Sequence, residues 1–160
     1  MENCHHRPKL PADFQEGFER AIPFHGHLGP YLVFGLRMSL RARRELDWTD
    51  HFDILVEAGC GRETPRSCMA DGLQVGCGAT LGKGTIRLVE PGEDGVFARF
   101  QSGERALEMS LSPWARKSCE KIDSWRKAEE IARELEAIDD SKLFSWRKIA
   151  PFWEKKEVRG

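Results

Sequence analysis

Phe24-His25-Gly26-His27-Leu28-Gly29-Pro30 is the stretch that divides this chain into its elements. Two imidazoles stand two positions apart across a glycine. In an extended or turning segment, positions i and i+2 face the same side. His25 and His27 therefore converge on one point if Gly26 supplies the bend. Pro30 suits the first turn of a helix, where its missing N–H removes no bond. The pair is thus expected just before a helix N-terminus, whose free N–H groups and dipole favour an anion. Two neutral imidazoles at such an end suit a metal with a negatively charged ligand. The competing reading is a turn whose ring nitrogens bond to backbone.

On the N-terminal side, Phe14, Phe18, Ala21 and Ile22 fall at three- and four-residue steps. That spacing predicts a helix over Pro11–Ala21, stopped by Pro23. On the C-terminal side, Leu32, Leu36 and Leu40 share one face of a helix expected over Leu28–Leu46. Gly35, Ser39 and Ala42 are small enough to let another helix approach closely. Arg37, Arg41, Arg43 and Arg44 gather in its C-terminal half, where cations complement the dipole, so solubility explains them better than phosphate binding.

The order then changes. Asp53–Ala58 reads as a short buried strand. Ser67 is placed to cap a helix from Cys68 to about Cys77, and Gly78–Gly84 is a glycine-rich turn. Thr85–Val89, Gly95–Gln101 and Arg105–Leu111 read as three strands of an antiparallel meander. Ser112-Pro113 opens a helix to about Lys121, and Trp125–Ala137 is a second, with Trp125, Ala128, Ile131, Ala132 and Leu135 on one stripe. Leu143–Ile149 is expected as a last strand. Residues 1–10, which include Cys4-His5-His6, read as a flexible tail, 11–150 as one domain, and 151–160 as a charged tail. Trp114, Trp125, Trp146 and Trp153 suit core or interface packing.

Composition narrows the function. The chain of 160 residues carries 25 basic and 26 acidic side chains, a net charge of −1. That balance argues against a bulk nucleic-acid or acidic-membrane binder. The five cysteines form no regular framework. With a polar start and no apolar run near ~20 residues, the expectation is a cytoplasmic protein that does not span a membrane.

Arg66-Ser67-Cys68-Met69-Ala70-Asp71-Gly72-Leu73-Gln74 carries the second group of reactive atoms. A cysteine in a first helical turn has its thiolate favoured by the dipole. Asp71 lies one turn on, and Gln74 one turn further. Separately these are a small buried hydrophobe and a first-turn acid. With His25 and His27, Cys68 makes a borderline-soft N₂S set suited to zinc, with a fourth position open. The same three residues also suit a Cys–His nucleophilic pair. Gly82-Lys83-Gly84 fails the Walker A pattern, because Cys77 stands where its first glycine belongs and Gly84 replaces the hydroxyl residue. Lys83 could still meet an anionic group. Cys60 and Cys77 are further thiols without CxxC spacing.

Three segments now stand in order in one chain: Phe24–Tyr31, Cys68–Gln74 and Gly78–Gly84. Together they resemble the formylmethanofuran dehydrogenase E-subunit family, from about Phe14 to Ile149. The resemblance implies an α+β fold, a twisted, mainly antiparallel sheet with helices packed against it, commonly as a homodimer. It implies a metal site at His25, His27 and Cys68, and an accessory place beside a molybdenum or tungsten enzyme of one-carbon metabolism. Many relatives carry a cysteine-rich zinc-ribbon-like extension, for which Ala150–Gly160 has no cysteine. Many also have a cysteine two positions later than Cys77. The leading expectation is a zinc-binding accessory or ligand-binding protein, with Asp71 or water completing the shell and Lys83, Asp71 and Gln74 meeting a small anionic ligand. A metal-dependent hydrolase with Asp71 as base, and a non-catalytic interaction protein, are the alternatives.

Overall fold

The computed structural model describes residues 8–154; the Cys4-His5-His6 segment and the end of the charged tail lie outside them. Helices and strands follow the order α1 (Phe14–His25), α2 (Pro30–Leu46), β1 (Leu55–Gly59), a 3-10 turn (Arg66–Cys68), α3 (Met69–Cys77), β2 (Ile86–Val89), β3 (Phe97–Ser102), β4 (Arg105–Leu111), α4 (Pro113–Cys119), α5 (Trp125–Glu136), α6 (Asp140–Leu143) and β5 (Phe144–Ile149). The fold is α+β: a five-stranded, mostly antiparallel sheet in the order β2-β1-β3-β4-β5, with helices against it. No helix among the described residues is long and apolar enough to cross a membrane.

Helix α1 starts where Asp13 accepts a hydrogen bond from the Glu16 N–H at 2.9 Å, a side-chain cap on a free donor. It does not stop at Pro23, which lies inside it. The proline removes only the donor that would reach exposed Glu19, so the last turn survives. Gly26 ends the helix in the left-handed region at φ 96°, its N–H bonding Ile22 O at 2.8 Å. A glycine is needed there because a Cβ would strain that backbone. His25 therefore belongs to the last turn of α1 rather than to a loop. Pro30 occupies the first turn of α2, as its fixed φ favours.

Helices α2 and α3 cross in backbone contact. A Cβ added to Gly35 would lie 2.1 Å from Met69 O, and one added to Gly72 would lie 2.2 Å from Leu32 O. Ser39 Oγ donates to Leu73 O at 3.2 Å across the same crossing. Phe34, Met38, Met69 and Leu73 are buried with Val56, Ala58, Phe100 and Met109 of the sheet. The arginines of α2 serve packing: Arg37 donates to Leu135 O at 2.7 Å and pairs with Asp140 at 2.8 Å, while Arg41 lies 4.4 Å over Trp146.

The expected meander is corrected. β2 does not pair with β3; it lies parallel to β1, and β3 takes β1's other edge antiparallel. The chain from β1 to β2 passes through α3, so β2 returns in the same direction, as a strand–helix–strand unit requires. Ser67 does not cap α3, which begins from the 3-10 turn with Cys68 at its N-cap. On the opposite sheet face, Arg87, Glu57, Arg99, Glu108 and Arg147 form one row in register across all five strands. Their contacts run 2.6, 2.8, 2.7 and 2.9 Å. Part of the expected C-terminal tail joins this face: the N–H groups of Phe152 and Trp153 both donate to Gln101 Oε1 at 2.8 Å.

Candidate metal centre

Three backbone devices bring the reactive atoms together. The Gly26 cap turns the chain so that the rings of His25 and His27 lie 4.4 Å apart. Gly29-Pro30 starts α2 immediately afterwards. The Gly35–Gly72 crossing then holds the start of α3 against that junction. As a result, one ligand atom from each of His25, His27 and Cys68 lies within 4.8 Å of the other two.

The surroundings of the imidazoles assign their roles. His25 Nδ1 is 2.6 Å from Asp71 Oδ2. An ionised carboxylate only accepts, so Nδ1–H donates and Nε2 carries the lone pair. His25 Nε2 and His27 Nδ1 are both buried and have no hydrogen-bond partner among the described residues. A buried polar atom without a partner loses about 1–3 kcal/mol of solvation, and a cation would restore it. Asp71 is thereby a positioning residue. It is not among the converging ligand atoms, and its other oxygen accepts from Gln74 Nε2 at 3.3 Å. Carboxylate–histidine pairs of this kind fix the tautomer and basicity of metal ligands.

Cys68 differs from the sequence expectation. Burial pushes its thiol up, and the nearby Asp71 carboxylate pushes it further. The helix start alone does not supply a thiolate here; a bound cation would. The N₂S set fits zinc. A tetrahedral zinc with ligand bonds of ~2.0–2.3 Å would need its ligands about 3.3–3.8 Å apart, so closing on an ion would take shifts of at most about 1.5 Å from the 4.8 Å limit. Three protein ligands leave one position open.

Lys83 is not brought to this group. Its ammonium donates to Gly78 O at 2.5 Å and to His51 O at 2.9 Å, and it lies 4.7 Å over Phe52. Gly78 caps the far end of α3, a helix of nine residues and hence about 13 Å long. Gln74 bridges the two ends, its Oε1 accepting from Leu81 N at 3.1 Å. Cys77 is fully buried at that far end, where burial pushes its thiol up to about 12. Cys60 is also buried, its thiol raised by burial to about 11. Neither belongs to the converging group.

A cavity of about 400 Å³ opens beside the centre. His27 and Cys68 line it, together with Tyr31, Pro65, Ile122 and Trp125. Trp125 is not core: it is 73% exposed and stands edge-on to His27 at 4.8 Å. Its place on the apolar stripe of α5 hid this, because Ala128, Ile131, Ala132 and Leu135 of the same stripe are buried. Pro65 and Ile122 gave no sequence signal, since apolar lining reads like core, and Tyr31 entered only as the end of the Phe24–Tyr31 segment.

Comparisons with known proteins bear on the fold and the family. Residues 24–150 match the FmdE family, described as "FmdE, Molybdenum formylmethanofuran dehydrogenase operon". A probable S-adenosyl-L-methionine-binding protein of Archaeoglobus fulgidus is 32% identical over 83 residues, covering 48% of this chain. The chain spans only 21% of that relative's length. Among solved structures, a tungsten formylmethanofuran dehydrogenase FmdE-like protein of Syntrophus aciditrophicus superposes with a TM-score of 0.58 at 21% identity, over 91% of this chain and 78% of the other. That likeness concerns the fold. The match over residues 24–150 takes in all three metal-competent side chains and most of the chain, and by it this chain belongs to the FmdE family.

Proposed function

We propose that this chain is a zinc-binding accessory protein of one-carbon metabolism, working in the cytoplasm as a homodimer beside a molybdenum or tungsten enzyme. His25 Nε2, His27 Nδ1 and Cys68 Sγ hold the ion, and Asp71 fixes His25. Zinc supplies a Lewis-acidic position open to a small ligand. The carrying observation is that one ligand atom from each of His25, His27 and Cys68 converges within 4.8 Å of the others, and that each imidazole has a buried ring nitrogen without a partner among the described residues. Family membership supports the link to formylmethanofuran chemistry. For the hydrolase alternative, Asp71 as base would first have to give up its bonds to His25 and Gln74.

The test is metal content by mass spectrometry on untagged protein, with size-exclusion light scattering on the same sample. About one equivalent of zinc is expected, falling at least fivefold in His27→Ala and in Cys68→Ala. A variant with Cys4, His5 and His6 replaced by serine keeps the ion. Zinc that follows those three residues, or content below about 0.2 equivalents in wild type, overturns the metal reading. A monomer at micromolar concentration overturns the homodimer.

A further inference from the structure

We propose that the cavity beside the metal centre binds a small monocarboxylate carried on a flat, apolar ring. The carboxylate would sit at the open position beside α2's N-terminus, and the ring under Trp125. This rests on the metal reading and adds a ligand class to it.

Four observations select that class. First, two of the three metal-competent residues, His27 and Cys68, line the cavity, so an ion held there borders it. The His25 side chain is only 10% exposed and its Nε2 has no partner, which marks the point as built for a ligand. Second, α2 begins at the cavity wall with Gly29, Pro30 and Tyr31. Helix geometry leaves the Tyr31 and Leu32 N–H groups without an intrahelical acceptor. A 17-residue helix also presents its positive end there.

Third, the charges limit the anion to one. Among the described residues no lysine or arginine lines the cavity, and Asp123 does. A divalent ion with one thiolate carries a single net positive charge, which one carboxylate neutralises. A phosphate dianion exceeds that single charge, and Asp71 and Asp123 nearby raise the cost of each further negative charge. Lys83, the cation that sequence placed here, is bonded at the other end of α3. Fourth, the walls are apolar. Pro30, Pro65, Ile122 and Ala128 surround a space of about 400 Å³, the size that takes a one- or two-ring molecule. The large exposed ring of Trp125 at its edge is apolar surface that such a ligand would cover.

Cobalt-substituted full-length protein tests this, because the visible bands of Co(II) report its coordination. Benzoate, acetate, benzyl alcohol and phenyl phosphate are titrated separately. Benzoate is expected to shift the bands saturably, at least tenfold more tightly than acetate. Benzyl alcohol leaves them unchanged, and phenyl phosphate binds more weakly than benzoate. Trp125→Ala, a change at an exposed side chain, weakens benzoate about three- to tenfold and leaves acetate unaltered. Equal midpoints for acetate and benzoate, tighter phenyl phosphate, or no effect of Trp125→Ala overturns the proposal. Protein that fails to take up cobalt overturns the metal reading. Protein that takes up one equivalent, with bands indifferent to benzoate, overturns the carboxylate alone.

Discussion

Replacing Asp71 separates a positioning role from a ligating one. Its carboxylate accepts from His25 Nδ1–H at 2.6 Å and from Gln74 Nε2 at 3.3 Å. Asp71→Ala removes the acceptor that orients His25, while His25 Nε2, His27 Nδ1 and Cys68 Sγ all remain. Loss of such a partner weakens metal binding about 10- to 100-fold, or about 1.4–2.7 kcal/mol. Asp71→Asn is an instructive intermediate. If its carbonyl oxygen faces His25, its amide nitrogen faces the Gln74 amide donor, so only one of the two bonds survives. Without the negative charge, a loss of about tenfold is expected, because hydrogen bonds to charged groups are roughly twice as strong as neutral ones.

The assay is competition with a chromophoric chelator at constant pH, paired with thermal unfolding of the metal-free variants. Asp71 is 35% exposed at its side chain, so its removal opens no core cavity. The metal-free Asp71→Ala protein should lose only about 1–2 kcal/mol, from the stranded His25 donor, or about 2–8 °C in Tm. Zinc affinity within twofold of wild type in Asp71→Ala would refute the assigned tautomer. Loss of all binding in Asp71→Asn would show that the carboxylate is itself a ligand.

Three further outcomes follow from the structure. Gly35→Ala, whose Cβ would meet Met69 O at 2.1 Å, should destabilise by about 2–3 kcal/mol even after the gain in helix propensity, whereas Gly82→Ala, with nothing within 4 Å, should change Tm little; chemical denaturation compares them. Burial alone would raise the Glu108 carboxyl, but hydrogen bonds and charge from Arg99 and Arg147 outweigh it and hold it below its ordinary value. Its stabilisation is therefore present above the unfolded glutamate pKa of about 4.3 and lost as pH falls through the lower folded value, so the stability gap between wild type and Glu108→Gln should be full at pH 7 and close below about pH 4. Cys77→Ala should retain one equivalent of zinc by mass spectrometry, since Cys77 lies at the far end of α3; loss of the ion without unfolding would contradict that placement.

How much was legible depended on the range of the signal. Helix and strand positions came from local periodicity, and β4 was read at its observed ends, Arg105–Leu111. The pairing of β2 with β1 was not legible, because alternation along a strand says which face is buried and nothing about its neighbour. Pro23 misled for a related reason: proline's effect on a helix depends on whether the lost bond is in the middle or near an exposed end. Of the site, the His25–His27–Cys68 set was readable as donor chemistry. Asp71's role was not, because spacing places it on the same helix edge as Cys68 but cannot say that His25 reaches back to it. Lys83 was misplaced because a lysine among glycines looks free in sequence, whereas folding surrounds its ammonium with carbonyls.

The centre and the helix crossing are one structural fact. Cys68 directly precedes Met69, whose carbonyl faces Gly35, and the two histidines end only a few residues before α2 begins. The height at which α3 crosses α2 therefore sets the height of the sulfur relative to the rings. Coordination bonds tolerate a few tenths of an ångström, while a methyl group at Gly35 or Gly72 would start 2.1 or 2.2 Å from a backbone oxygen and would have to open the crossing by more than ~1 Å to reach ordinary contact distance. The small residues on α2, which alone report only close packing, thus set the placement of the three candidate ligands. A glycine that offers no ligand atom is, on this geometry, part of what builds the candidate metal site, and a search for the site by histidine and cysteine alone omits the residues that bring them together.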